Sequence, residues 1–160
     1  MQFKKNVSQD GGKNYLKLKD GESVNVIFRG EIFDYLARYE NGKYVPNDSG
    51  SFRFRINAIV KEGTVYVAKI FENGVGVYQQ LADLHSEYDL TNTVCKLTRR
   101  GSGTDTTYSV LPMLKTPITP DVAKLLSTLK LHDLSVYNNN LDNKLGFDDS
   151  PMPDSDDAPF

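Results

Sequence analysis

Two arginines separated by one residue, Arg53 and Arg55, lie in the run Ser51 to Val60, Ser-Phe-Arg-Phe-Arg-Ile-Asn-Ala-Ile-Val. Side chains alternate faces along an extended chain, so Phe52, Phe54, Ile56 and Ala58 point one way and Arg53, Arg55 and Asn57 the other. One face reads as core and the other as cationic. Adjacent guanidiniums repel each other, yet they suit a ligand with regularly spaced anionic groups, of which a nucleic-acid backbone is the obvious case. Carboxylates on neighbouring strands would satisfy the same two arginines, and the run alone does not choose between these partners.

The surrounding strands and loops repeat this mixture of basic and aromatic residues. Arg29, Arg38, Lys69, Lys96, Arg99 and Arg100 recur near Phe33, Tyr35, Tyr39 and Tyr44. Cations for phosphates and aromatic faces for bases are what hold a nucleic-acid single strand. Alternation assigns Phe28, Phe52 and Phe54 to the core and leaves Phe33, Tyr35 and Tyr39 as stacking candidates. Lys69 is expected on the cationic side of its strand.

Catalytic constellations do not emerge. His85 and His132 have no metal-ligand spacing around them, and the single cysteine, Cys95, sits in an apolar-alternating strand as a buried thiol. Gly101 and Gly103 lack the lysine and serine of a phosphate-cradling loop, and Asp83 with Glu87 has the i,i+4 spacing of a solvated helix face. The chain therefore reads as a binding protein, not an enzyme, with no metal and no cofactor.

These residues must be positioned by one domain, since 160 residues with 39% hydrophobic and 11% aromatic content suit a single core. No apolar run approaches membrane-helix length and Met-Gln-Phe-Lys-Lys does not open a signal peptide, so a cytoplasmic location is expected. The net charge of -2 is unevenly distributed. Residues 138–160 hold six acidic side chains and one basic, leaving 18 basic against 15 acidic on residues 1–137. A mildly basic body carries an acidic tail, whose sign suits it to compete with an anionic ligand for that body.

In chain order, residues 1–14 form a polar arm broken by Gly11-Gly12, either frayed or in contact with phosphates or a neighbouring subunit. A first strand runs from Ser23 to about Arg29, bends at Gly30, and resumes from Glu31 to Tyr39. Turn chemistry makes Glu40 to Gly50 a loop. The Ser51 strand follows, then a hairpin turn and a third strand, Val65 to Phe71. Val77, Leu81, Leu84 and Tyr88 switch to helical spacing over Gly74 to Tyr88. Two further strands cover Thr93 to Arg100 and Thr107 to Leu114. A second helix is expected from Pro120 to about Lys130, with Thr119 as N-cap.

Three strands, a helix and two strands is the order of the five-stranded OB-fold barrel, whose helix lies between strands three and four. The expected organisation is thus mainly β: a flexible arm (1–14), an OB-fold single-stranded DNA-binding domain with a C-terminal helix (15–137), and a disordered acidic tail (138–160).

The tail, from Asp148-Asp149-Ser150-Pro151 to Asp157-Ala158-Pro159-Phe160, has five acids, no base and a terminal phenylalanine. It resembles the acidic C-terminal tip of bacterial and phage single-stranded DNA-binding proteins. The resemblance implies that Phe160 with Pro159 enters an apolar pocket on a replication or repair partner, that Asp154, Asp156 and Asp157 meet its basic rim, and that the free tip weakens DNA binding. Residues 15 to about 114 look like the OB-fold single-stranded DNA-binding proteins of tailed phages. That likeness is carried by Tyr15-Leu16-Lys17-Leu18-Lys19-Asp20-Gly21-Glu22-Ser23-Val24, Phe52-Arg53-Phe54-Arg55 and Leu97-Thr98-Arg99-Arg100-Gly101-Ser102-Gly103-Thr104-Asp105-Thr106-Thr107-Tyr108. It implies a zinc-free barrel that coats single strands with little sequence preference during phage DNA replication, recombination or repair, in the host-cell cytoplasm, with self-association along DNA. An RNA-binding OB module and a protein-interaction barrel without nucleic acid are the alternatives.

Overall fold

A computed structural model of the chain describes residues 14–136. Six strands form one open antiparallel sheet: β1 (Ser23–Glu40), β2 (Lys43–Pro46), β3 (Ser51–Glu62), β4 (Val65–Gly74), β5 (Cys95–Arg100) and β6 (Thr107–Pro112). The order across the sheet is β4-β3-β1-β5-β6, with β2 paired to β1. Helix α1 (Val75–Glu87) joins β4 to β5, and α2 (Pro120–Thr128) follows β6. No helix among the described residues is long and apolar enough to cross a membrane.

The long first strand takes part in both halves of the sheet. Its start pairs with β5, from Ser23 opposite Thr98 to Val26 opposite Cys95, and the remainder pairs with β3 as far as Ala37 opposite Ser51. The ladder slips between Arg29 and Phe33, where Gly30 has φ +84°. The bend expected at this glycine is therefore a bulge within one continuous strand. A Cβ at position 30 would also lie 2.9 Å from Leu131 Cδ1. Gly30→Ala is expected to lower stability by about 1–2 kcal/mol, mainly from forcing an L-residue into the left-handed region. Urea denaturation measures this, and an unchanged midpoint would contradict it.

Residues 40–50 are more ordered than a loop. Asn41 and Gly42 both have positive φ, 52° and 81°, as the two central residues of a type I′ hairpin turn require. They fold β2 back onto β1, pairing Tyr39 with Tyr44 and Arg38 with Val45. The count is therefore six strands, not five, and the extra one belongs to the end of the first hairpin.

Opposite edges of the sheet approach without pairing among the described residues. The rings of Phe71 on β4 and Tyr108 on β6 are 5.9 Å apart, and Gln80 of α1 bonds both Tyr108 O and Val110 N. At the other end, residues 14–22 reach from one edge strand towards the other: Leu16 N donates to Ile70 O on β4, and Gly21 N donates to Arg99 O on β5. The enclosed core contains Val26, Phe28, Phe54, Ile56, Phe71, Val77, Leu81, Cys95 and Leu97. Burial pushes the Cys95 thiol up to about 11, consistent with an inert core residue.

A second apolar cluster lies on the other face of the sheet. Leu126 of α2 packs with Ile27, Ile59 and Ala68, flanked by Val122, Leu129 and Leu131. Thr119 caps α2 by accepting from Val122 N, and Pro120 begins the helix, as expected. The chain after α2 is tied down by Asn57, whose amide accepts from His132 N at 2.8 Å and donates to His132 O at 3.1 Å. His132 bonds Ala68 O through its ring, so its role here is structural. Consequently β3 is buried on both faces from Arg53 to Val60.

Candidate nucleic-acid interface

Arg53 and Arg55 do not form an exposed cationic face. They are only 3% and 2% exposed, and both hold Glu72 of β4. The register explains the arrangement. Arg55 lies directly between Phe33 on β1 and Glu72 on β4, with Arg53 beside Tyr35. Arg55 Nε donates to Glu72 Oε1 at 2.8 Å, Arg53 Nε to Oε2 at 3.3 Å, and Tyr35 OH to Oε2 at 2.8 Å. Arg55 Nη1 also donates to Leu134 O at 2.9 Å, so the segment after α2 covers this group as well. The carboxylate partner left open by the sequence is therefore Glu72, and the two arginines are corrected from phosphate contacts to buried structure.

Burial alone would raise the Glu72 carboxyl, but Arg53 and Arg55 outweigh it and hold the group below its usual range. Burial, reinforced by the neighbouring glutamate, raises the Tyr35 phenol, which stays protonated as the donor. Arg99 is also corrected. It is 2% exposed, with Nη1 donating to Leu18 O at 2.8 Å and Nη2 to Thr106 Oγ1 at 3.5 Å, and it braces the chain entering β1.

Above the buried ions lies an aromatic shelf. Phe33, Tyr35 and Tyr39 alternate on one face of β1 after the bulge, and the β2 hairpin sets Tyr44 opposite Tyr39. All four are half-buried. Phe33 and Tyr35 have centroids 6.0 Å apart, and Tyr39 and Tyr44 meet edge to face at 5.0 Å. The Arg53 guanidinium lies 3.8 Å from the Tyr44 centroid, and that of Arg55 lies 4.8 Å from Tyr35 and 5.5 Å from Phe33. Cation–π attraction thus holds Phe33, Tyr35 and Tyr44 to the sheet, so less freedom remains to be lost when a planar ligand stacks on them. Tyr35 serves both layers, through its ring and through its hydroxyl.

Elsewhere the expected cations disperse. Arg38 is exposed on the strand face opposite Tyr39. Arg29 is half-buried and donates to Thr91 O and Asn92 Oδ1, holding the turn after α1. Lys69 is opposite Ala58, on the other face from Glu72 and Arg55, and pairs with Glu62 at 3.1 Å; its expected place on the arginine face is corrected. Lys96 and Arg100 are exposed on β5, away from the shelf. The expected partner contacts Asp154, Asp156, Asp157, Pro159 and Phe160 lie outside the described residues.

Sequence reasoning missed Glu72. Its trace was an acid after the apolar pair Ile70-Phe71, but only the register with Arg55 gives it meaning. No cluster of three or more potential metal ligands occurs among the described residues. No protein-family model, curated protein or solved structure matches the chain.

Proposed function

We propose that this chain is a single-stranded DNA-binding protein whose bases stack on the shelf formed by Phe33, Tyr35, Tyr39 and Tyr44. The observation that carries this reading is four half-buried rings in two contacting pairs on one sheet face, over guanidiniums that the ligand need not displace. Stacking holds a base without reading its identity, so the protein coats single strands with little sequence preference. Binding is stoichiometric, with no catalytic step. The sheet is an OB-type barrel elaborated by β2: its first long strand pairs with β3 on one side and β5 on the other, the arrangement that curls such sheets. The acidic tail recruits replication or recombination partners through Phe160 and restrains the barrel by competing with phosphates.

A protein-interaction barrel is the second reading, favoured by the Arg53–Glu72–Arg55 pairing, which removes two cations from the surface. Fluorescence anisotropy with oligo-dT, an RNA of equal length and duplex DNA at two salt concentrations separates the possibilities. The expected order is oligo-dT tightest and duplex weakest, with affinity falling as salt rises. Deleting residues 148–160 should tighten oligo-dT binding most at low salt, where screening is weakest. Absence of single-strand binding would leave the protein-interaction reading, and preference for RNA would change the ligand class.

A further inference from the structure

A pocket of about 350 Å³ opens between one flank of α1 and the inner face of β1 at the Gly30 bulge. Ile32, Ile56 and Leu90 give it apolar walls, and Tyr78, Ala82 and His85 line it from the helix. An apolar strip continues from it. Leu36 lies opposite Phe52, whose ring is 4.9 Å from that of Tyr78, and Val75 sits one turn before Tyr78 on the same flank of α1. Ile32, Leu36 and Val75 are all exposed, which marks the strip as an interaction surface. The backbone is open there too. β1 pairs with β5 only as far as Val26 and with β2 only from Ala37, so residues 27–36 have β3 along one edge and no strand along the other among the described residues. Charge then selects the ligand. Glu31 and Asp34 flank Ile32, both exposed, and neither carboxylate has a hydrogen-bond or ion-pair partner among the described residues. Arg29 and Asp89 offset each other, each bonded to Asn92. Arg38 shares the face of Asp34 but lies four residues on, about 13 Å away. His85 accepts from Leu90 N through Nδ1 and so adds no cation. Two uncompensated carboxylates repel a phosphodiester backbone and attract ammonium groups, so this face of β1 suits an apolar side chain with basic neighbours.

We propose that this groove is the docking site of the chain's own N-terminal segment, with Phe3 in the pocket and Lys4 and Lys5 against Glu31 and Asp34. Met1-Gln2-Phe3-Lys4-Lys5 lies outside the described residues and joins an aromatic ring directly to two cations. The residues beyond 136 offer no such pairing, since Lys144 is their one basic side chain. Reach permits the contact. Asn14 O accepts from Ile70 N, which anchors the segment at β4. The eleven steps from Phe3 to Asn14 span up to about 36 Å at roughly 3.3 Å each, against a radius of gyration of about 14 Å for a domain of this size. Gly11-Gly12 lets the segment turn. The tether holds it at an effective concentration of about millimolar, so a weak site is filled. Docking covers the apolar strip and leaves the rings on the opposite face of β1 clear, so it holds whether or not the shelf binds DNA.

The test places a nitroxide label on the full chain at Gln2→Cys, Cys95 being buried and left unlabelled, and reads relaxation broadening of backbone amide signals. The expected result is strong broadening at Ile32, Ala82 and His85 and little at Tyr39 and Tyr44. Adding Phe3→Ala should abolish it. Glu31→Lys/Asp34→Lys should abolish it as well, and Lys4→Glu/Lys5→Glu in that variant should restore it. Glu31 and Asp34 are exposed, so these variants should keep the wild-type melting temperature, which is measured alongside. Isotope-labelled chains without nitroxide, mixed with unlabelled chains that carry it, should show no broadening. Broadening in that mixture alone would assign the groove to the segment of a second copy and overturn docking within one chain. Broadening centred on Tyr39 and Tyr44, or none anywhere, would overturn the site. Broadening that survives charge reversal of Glu31 and Asp34 would overturn their pairing with Lys4 and Lys5.

Discussion

Glu72→Gln is expected to destabilise the protein by about 3–5 kcal/mol at neutral pH, because it leaves two buried guanidiniums facing a neutral amide. Small domains are stable by about 5–15 kcal/mol in total, so this one atom exchange removes a large share. The substitution nearly preserves shape and leaves a carbonyl acceptor, so the loss reports charge more than packing. Its pH dependence is a separate check. The folded carboxyl is held below its unfolded value of about 4.5, so its contribution is fully present above that value and disappears as pH falls through the folded one. The stability gap between wild type and Glu72→Gln should be constant from pH 6 to 7 and close towards pH 3. Replacing all three members with Met (R53M/R55M/E72M) should recover much of the stability, since a buried ion pair removed whole costs far less than one broken. A gap below about 1 kcal/mol at neutral pH would show that the cluster is hydrated rather than buried.

What was legible in the chain depended on whether the determinant was local. The helix over Val75–Glu87 follows from the spacing of Val77, Leu81 and Leu84, and the start of α2 from Thr119-Pro120; both signals reside in adjacent turns. The bend at Gly30 was visible because only glycine takes φ +84° cheaply. The Asn41-Gly42 pair was equally visible, but the residues that follow it, Lys43 to Pro46, are too few to alternate clearly and end in a proline. Reading it as part of a loop therefore missed a type I′ turn and the strand that holds Tyr44.

The arginine face was misread for a different reason. Alternation separates the two faces of β3 correctly, with Phe54, Ile56 and Ala58 in one core. It cannot say what covers the second face. That cover comes from Glu72, seventeen residues beyond Arg55, and from Leu134, seventy-nine beyond it. Such contacts depend on register and on the path of the chain after α2, and neither has a local trace. That Phe33, Tyr35 and Tyr39 share one face was legible because alternation within a single strand sets it.

Tyr39→Ala/Tyr44→Ala is expected to weaken oligo-dT binding more than any other pair of surface changes. Each stacked base contributes about 1–3 kcal/mol, so losing both rings removes about 2–6 kcal/mol, a factor of at least about 30. The stability cost should be smaller, because the pair is half-buried at the end of a hairpin and its edge-to-face contact is worth about 0.5–1.5 kcal/mol. Tyr39→Phe/Tyr44→Phe separates stacking from hydrogen bonding: it keeps both π-faces and should bind nearly as well as wild type. Removing rings deletes no phosphate-binding cation, so the Ala variant should bind weakly with an unchanged log–log salt slope. Wild-type affinity in Tyr39→Ala/Tyr44→Ala would remove the shelf from the DNA path. A fall in affinity matched by an equal fall in folding stability would instead assign these rings to holding Arg53 and the β2 hairpin in place.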